Sequence, residues 1–362
     1  MRKAGIAIYP LIVLLLIMLG GCERRQSATP VSQQRPVSQP RLISQPAEPI
    51  SETRLMLDTI CKITIYDKQD RNMLIEALDL CEEYEALLSI SAEGGDVWRI
   101  NHAGGAPVTV APQTAEVISA GLEYGKLSDG MFDITIGRLS SLWDFTGQSG
   151  VPPESDLAFA CETVDYRQVA LNGNVVQLMN PETWIDLGGI AKGYIADKVA
   201  DFLRERGVES AVIDLGGNIV VIGEKTDGNL WRVGVTKPFS ERSDLIGVVE
   251  TDEASVVSSG VYERQFVENG VLYHHILDPN TGMPVISDVI GSTVLSLSSM
   301  DGDALSTIVL LMGVNKPGVS SEGIERVGAI LDSRTGFIGA LLVLEDGEIL
   351  QYGKIEFQEI IE

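Results

Sequence analysis

Asp303 and Thr307 stand four residues apart, so on a helix they share one face. A carboxylate and a hydroxyl at that spacing supply oxygen ligands for a hard cation such as magnesium. They would leave room in the coordination shell for a phosphate-bearing substrate. Asp303 as a helix cap and Thr307 as a packed side chain is the other reading of the pair. Lys192 follows the run Asp186-Leu187-Gly188-Gly189-Ile190-Ala191. A glycine pair ahead of a helix makes a tight turn and leaves N–H groups that suit an anion. A lysine in a first helical turn opposes the helix dipole, which makes sense beside an anion. The run is neither a Walker A loop nor a Rossmann fingerprint. His275 precedes Asp278-Pro279-Asn280-Thr281-Gly282 in a polar loop where an imidazole could serve as a general base. In extended chain His274 points the other way.

Those residues need elements to position them. Thr59–Tyr66 reads as a strand, and 72–88 as a helix with apolar residues on one side. A helix is expected over 112–126, with Pro112 suited to its first turn. Another is expected over 191–206, ended by Gly207. The stretch 211–222 reads as a strand interrupted by Gly216-Gly217, and 293–298 as a strand. A helix over 303–312 closes at Gly313. Segments 337–344 and 349–355 form a hairpin about Asp346-Gly347. The class is α+β. The tetrapeptide Asp-Leu-Gly-Gly occurs at 186–189 and again at 214–217. It is either a repeated strand ending or a pair of turns flanking one ligand.

The chain of 362 residues carries a formal charge of −24, which excludes a protein that wraps nucleic acid by a basic surface. Three histidines argue against a multi-histidine zinc site, and four cysteines are too few for a disulfide scaffold. The charge is uneven: +2 over 1–22, +1 over 23–53 and −27 over 54–362. Arg2 and Lys3 precede an uncharged apolar run ending Leu19-Gly20-Gly21-Cys22, the pattern of a secretory signal with a bacterial lipobox. The expectation is a signal peptide over 1–21, lipid on Cys22 and an extracytoplasmic body anchored at the cell membrane. An uncleaved membrane anchor is the competing reading. Residues 22–53, rich in Pro, Gln and Ser, are expected to form a disordered tether. Cys61, Cys81 and Cys161 remain, an odd number with no essential disulfide framework expected.

Four stretches stand out in this order: Asp129-Gly130-Met131-Phe132-Asp133-Ile134-Thr135-Ile136-Gly137 with Leu142-Trp143-Asp144-Phe145, then 186–194, then Ser258–Arg264 with 274–284, then Asp301–Thr307. Together they resemble the ApbE-type family, the FAD:protein FMN transferases of bacterial envelopes, over about 57–313. The resemblance implies an ApbE-like, T-fold-related domain over 54–362, with mixed sheets, packed helices and a flavin site between lobes. It implies cleavage of FAD at its pyrophosphate and transfer of FMN to a Thr or Ser hydroxyl of an acceptor redox protein, releasing AMP. By the same resemblance, Asp303, Thr307 and the Ala191 carbonyl would bind magnesium. Leu57, Met131, Phe132, Asp133, Gly188, Lys192 and Tyr194 would contact FAD, and His275 would activate the acceptor. Leu57-Asp58-Thr59 stands where the family has Met-Gly-Thr. Ser91 stands where it often has an aromatic residue on the flavin, so that contact is unassigned, and Trp98 is one candidate for it. No Asp-rich Ser-Gly-Ala-Thr acceptor sequence occurs in the chain. Hydrolysis of FAD to FMN and AMP, or a lipid-anchored protein that binds FAD without reaction, are the alternatives.

Overall fold

The computed structural model describes residues 48–145, 150–241, 243–314 and 322–360. The signal region, Cys22 and the tether as far as residue 47 lie outside the described residues. Eight strands make the central sheet: β1 (Ile50–Met56), β2 (Thr59–Ile65), β3 (Ala211–Leu215), β4 (Asn218–Ile222), β5 (Ala254–Gly260), β6 (Val289–Ser296), β7 (Phe337–Leu344) and β8 (Ile349–Gly353). They lie side by side in chain order. Every neighbouring pair is antiparallel. The functional stretches are therefore insertions into a meander. Helices α1 (Arg71–Leu88), α2 (Pro112–Leu127) and α3 (Ala191–Glu205) come between β2 and β3, and α4 (Ser299–Met312) follows β6.

The sheet is buried on both faces, so its middle strands show no alternation of exposed and buried residues, and the small hydroxyl residues Ser255, Ser292, Thr293 and Ser296 are buried in them too. Val256 of β5 packs with Trp231, Val233 and Val249. Those three belong to a second sheet of Trp231–Thr236, Leu245–Thr251 and Glu356–Glu359. The next residue, Val257, points the opposite way and meets Gly302 of α4. The larger core lies on that helical side and joins Ile63, Leu74, Leu78, Ile195, Val199 and Leu305. Each such side chain contributes about 1.5–3 kcal/mol when fully buried. Cys61 and Cys81 are buried there as free thiols, hydrogen-bonded to the carbonyls of Met56 (3.6 Å) and Ala77 (3.4 Å).

Several sequence boundaries move. The stretch 211–222 is a two-strand hairpin rather than an interrupted strand, because Gly216 and Gly217 adopt φ of +73° and +96°. Helix α4 begins at Ser299, not Asp303, because the Ser298 hydroxyl accepts the Asp301 N–H at 3.2 Å. Asp303 thus sits inside the helix and is not its cap. The last hairpin ends at Gly353 (φ +73°), after which Glu356–Glu359 crosses to the second sheet. Strand β1 starts at Ile50, inside the stretch expected to be tether.

Helices α3 and α4 cross at Gly193. A Cβ there would lie 2.2 Å from the Ser299 carbonyl oxygen, so any side chain must push the helices apart. Gly193→Ala should cost about 1–3 kcal/mol by overpacking. The expected reading is a lower urea midpoint with an unchanged slope.

Candidate functional site

The turn 187–190 leads into α3 without a side-chain cap. The Asp186 carboxylate accepts the Gly188 N–H (2.8 Å) and the Ser140 hydroxyl (2.7 Å), which fixes the turn. Ile190 and Ala191 donate to the Leu187 carbonyl, at 3.0 and 2.8 Å. Gly193 donates to Asp303 Oδ2 at 2.9 Å. Among the described residues the N–H groups of Gly189 and Lys192 have no partner, so the positive end of α3 retains two open donors.

Asp303 comes to this turn from α4 and is buried. Its second oxygen lies 3.7 Å from Lys192 Nζ, an ion pair longer than a hydrogen bond. Thr307, one turn on, donates its hydroxyl to the Asp303 carbonyl at 3.2 Å, leaving the hydroxyl lone pairs available. Gly189 is the neighbour of Thr307, since a Cβ there would stand 3.9 Å from Thr307 Cγ2. A buried carboxylate and a hydroxyl are oxygen donors of the kind that a hard divalent cation takes.

His275 follows the strand Val271–His274. Its backbone N–H donates to the Arg264 carbonyl at 3.1 Å, and its ring stands edge-on to Phe145 at 6.4 Å. Burial, then the charges of Arg264 and Lys192, push its pKa down to about 3. That influence ties His275 electrostatically to Lys192. Its Nδ1 is buried without a partner. His274 does face the other way, and burial pushes its pKa down to about 4.

The remaining sequence candidates separate into two groups. Met131 comes within 3.8 Å of the Asn280 side chain, joining the 129–133 loop to the 278–284 turn. Phe132 is buried against Tyr124 and beneath Gly189, whose Cβ would meet its ring at 3.0 Å. Leu57 and Asp58 form the β1–β2 turn with φ of +53° and +54°. An Asp in that conformation is ordinary for such a hairpin, a Leu is not. Leu57 is held by donating its N–H to Glu85 Oε1 at 2.9 Å. Two other candidates are committed to the scaffold. Asp133 accepts from Thr135 N (2.8 Å), Thr135 Oγ1 (2.6 Å) and Tyr166 N (2.8 Å). Tyr194 is buried in the core with its hydroxyl on Glu116 at 2.8 Å. Trp98 is likewise engaged, stacked on His102 at 4.1 Å.

Sequence reasoning gave Arg264 no role. Its guanidinium pairs with Asp58 at 3.7 Å and faces His275 with positive charge. It also overlooked Asp197, which accepts the Ser299 and Met300 N–H groups (2.8 and 3.0 Å) and the Ser298 hydroxyl (2.9 Å). The two Asp-Leu-Gly-Gly turns both border the start of α4, where the Ser299 hydroxyl bonds to Asn218 just after one and the Ser299 carbonyl abuts Gly193 just after the other. The Cys61 thiol is influenced by both Asp214 of one and Lys192 beside the other. In each turn the aspartate accepts the N–H two residues on, from Gly188 or Gly216.

Open N–H donors, an ammonium group and hard oxygen ligands beside a neutral imidazole make a site for a phosphate-bearing substrate and an attacking hydroxyl. The ApbE family model matches residues 57–330, and the chain belongs to that family. It is 38% identical over 266 residues to a FAD:protein FMN transferase of Klebsiella pneumoniae, covering 72% of this chain and 82% of that one. It is 34% identical over 288 residues to one of Treponema pallidum, covering 74% and 79%. Among solved structures it is similar to the ApbE protein of Thermotoga maritima, with a TM-score of 0.75 and 30% identity over 84% of this chain and 97% of that one. For the flavin transferase ApbE of Vibrio cholerae the TM-score is 0.73, with 27% identity over 85% and 98%.

A histidine with a depressed folded pKa binds fewer protons folded than unfolded. Its contribution to stability is complete above the unfolded value of about 6.5 and is lost as pH falls toward the folded one. For His274 and His275 that window runs from about 6.5 down to about 4 and about 3. Urea melts at pH 7 and pH 5 should show His274→Gln losing less stability on acidification than the unsubstituted chain.

Proposed function

We infer that this ApbE-family chain is a FAD:protein FMN transferase. It cleaves the FAD pyrophosphate, joins FMN to a Thr or Ser hydroxyl of an acceptor protein and releases AMP. The observation that carries the reading is the meeting of Lys192 with the buried Asp303 at the open start of α3, with His275 within reach of the Lys192 charge. One ammonium lies 3.7 Å from a buried carboxylate and also lowers the histidine pKa. The names of the relatives support the same activity.

In this mechanism the N–H groups of Gly189 and Lys192, with the Lys192 ammonium, hold the pyrophosphate oxygens. Asp303 and Thr307, with the Ala191 carbonyl, are the residues that would hold magnesium, which supplies charge neutralisation for phosphoryl transfer. Met131 and Leu57 line the approach for the flavin nucleotide. Phe132 supports the Gly188-Gly189 turn from beneath, Asp133 fixes the loop that carries Met131, and Tyr194 anchors α3. His275 enters the reaction neutral and takes the proton of the acceptor hydroxyl. That oxygen bonds to the FMN phosphorus as the bond to the AMP oxygen breaks. Burial is the main cause of the low His275 pKa, and anionic FAD beside Lys192 would offset part of the smaller share that comes from positive charge.

His275→Ala should bind FAD within about threefold of the unsubstituted chain but transfer FMN about 10²–10⁴ times more slowly. In-gel fluorescence of the denatured acceptor reads this directly, and full labelling by the variant would remove His275 from the role. AMP release without labelled acceptor would instead identify a hydrolase. Asp303→Asn keeps an acceptor for the Gly193 N–H and loses the charge. It should raise the magnesium needed for half-maximal rate by about tenfold or more, the loss of a charged ligand contact.

We also propose that Cys22 carries lipid and that the segment between it and β1 tethers the enzyme outside the cytoplasmic membrane. Cys22→Ser should then shift the chain from the detergent-requiring fraction to the soluble one.

A further inference from the structure

The hairpin Gln265–Glu268/Val271–His274 forms a sheet of two strands. Gln265 lies opposite His274, Phe266 opposite Tyr273 and Val267 opposite Leu272. The Arg264 carbonyl accepts the His275 N–H at 3.1 Å, so ladder bonds fall on alternate pairs counted from there. The N–H and C=O groups of Leu272 and His274 therefore point outward, away from the partner strand. Among the described residues no backbone group pairs with them. One step further, the Ile276 carbonyl accepts the Val285 N–H at 2.9 Å, which begins a third ladder position. The chain leaves that position after Val285, and among the described residues no third strand pairs beside His274 and Leu272.

The two faces of this strand differ in what they offer. Tyr273 stacks on Phe266 at 5.3 Å and packs beside Trp143 at 5.8 Å, on the face that also carries His275 against Phe145. Leu272 and His274 face the other side and line a cavity of about 600 Å³, together with Phe239, Val285, Ile286 and Leu344. Its lining also carries Lys237, Ser287, Glu345 and Glu359, and its rim opens to solvent, with Ile286 87% and Phe239 53% exposed. Phe239 also holds a φ of +57°, a strained conformation for a bulky side chain. His274 is 7% exposed and its Nδ1 has no partner. A groove with exposed apolar residues beside an unpaired strand edge is a surface suited to extended polypeptide.

We propose that an extended segment of the acceptor protein adds to the outer edge of Val271–His274 as a third strand, leading its hydroxyl residue to His275. The occupant is a polypeptide because the transfer needs a protein hydroxyl at His275, and the open strand edge runs into that residue. The proposal rests on the transferase reading. Alternate side chains of the segment fall on the two faces. Apolar ones enter the cavity, where one N–H or O–H donor would satisfy His274 Nδ1, and those between them lie alongside Tyr273 and His275.

Leu272→Pro removes an outward N–H that takes no part in the hairpin ladder, a substitution that edge strands tolerate. Val267→Pro does the same on the opposite edge. With a synthetic peptide carrying the Asp-rich Ser-Gly-Ala-Thr sequence as probe, Leu272→Pro should raise the KM for peptide by about tenfold or more. The KM for FAD should stay unchanged, and Val267→Pro should leave both unchanged. In the unsubstituted chain, saturating peptide should slow hydrogen exchange at the Leu272 and His274 amides and leave Val267 as it was. That second measurement holds even where the proline variant fails to fold. Equal peptide KM for Leu272→Pro in a folded protein, or no protection at Leu272 and His274 in a chain that labels the peptide, overturns the docking edge. A chain that labels nothing and releases no AMP from FAD overturns the transferase reading, and the docking proposal with it.

Discussion

Two carboxylates hold the crossing of α3 and α4. Asp303, from the second turn of α4, accepts the Gly193 N–H in the first turn of α3. Asp197, from the middle of α3, accepts the Ser299 and Met300 N–H groups that open α4. Each helix start is thereby satisfied by a side chain of the other helix, and helix starts are where unpaired donors must find partners. Burial raises the Asp197 pKa, with the hydrogen bonds it accepts opposing that shift. The exchange is possible only where the backbones nearly touch, which Gly193 allows. Lys192 and Ala191 belong to one helix, Asp303 and Thr307 to the other. Without this crossing, residues 110 positions apart in the chain would not share a site.

Much of this was legible in the sequence because it rests on local rules. The helices over 72–88, 112–126 and 191–206 follow from 3.6-residue periodicity with ordinary start and stop residues, and all three form within a residue or so at each end. The start of α4 was not legible. Its cap, Ser298, gains its second partner from Asp197, about a hundred residues away. The same applies to Tyr194 and Asp133. Both lie in recognisable stretches, but only the fold shows that their polar atoms are consumed by Glu116 for Tyr194 and by Thr135 and the Tyr166 N–H for Asp133. Arg264 was in view in the sequence, yet its relation to Asp58 depends on the β1–β2 turn lying beside the histidine loop. The ordering of strands as a simple meander was not readable either. Insertions of very different length separate neighbours, and the periodicity of a doubly buried strand carries no register.

The strong acidity of the chain acquires a more definite meaning here. Against a formal −24, the site sets two open helix donors, Lys192 and Arg264. Exposed charges act over roughly 8–10 Å in physiological salt, so remote carboxylates count little once a ligand is seated. They act on its approach, and the local donors act on its retention. An anion held at this candidate site, in a chain this acidic, would need contacts that are close and partly dehydrated.

The two fully buried thiols have a consequence for where such a chain can work. Burial, far more than any neighbouring charge, pushes Cys61 and Cys81 up to about 12. Only the thiolate attacks a disulfide or is readily oxidised. At neutral pH scarcely any of either sulfur is in that form, and neither reaches the surface. The core can therefore contain cysteine and still pass through an oxidising environment chemically silent, needing neither a disulfide of its own nor protection from those of other proteins.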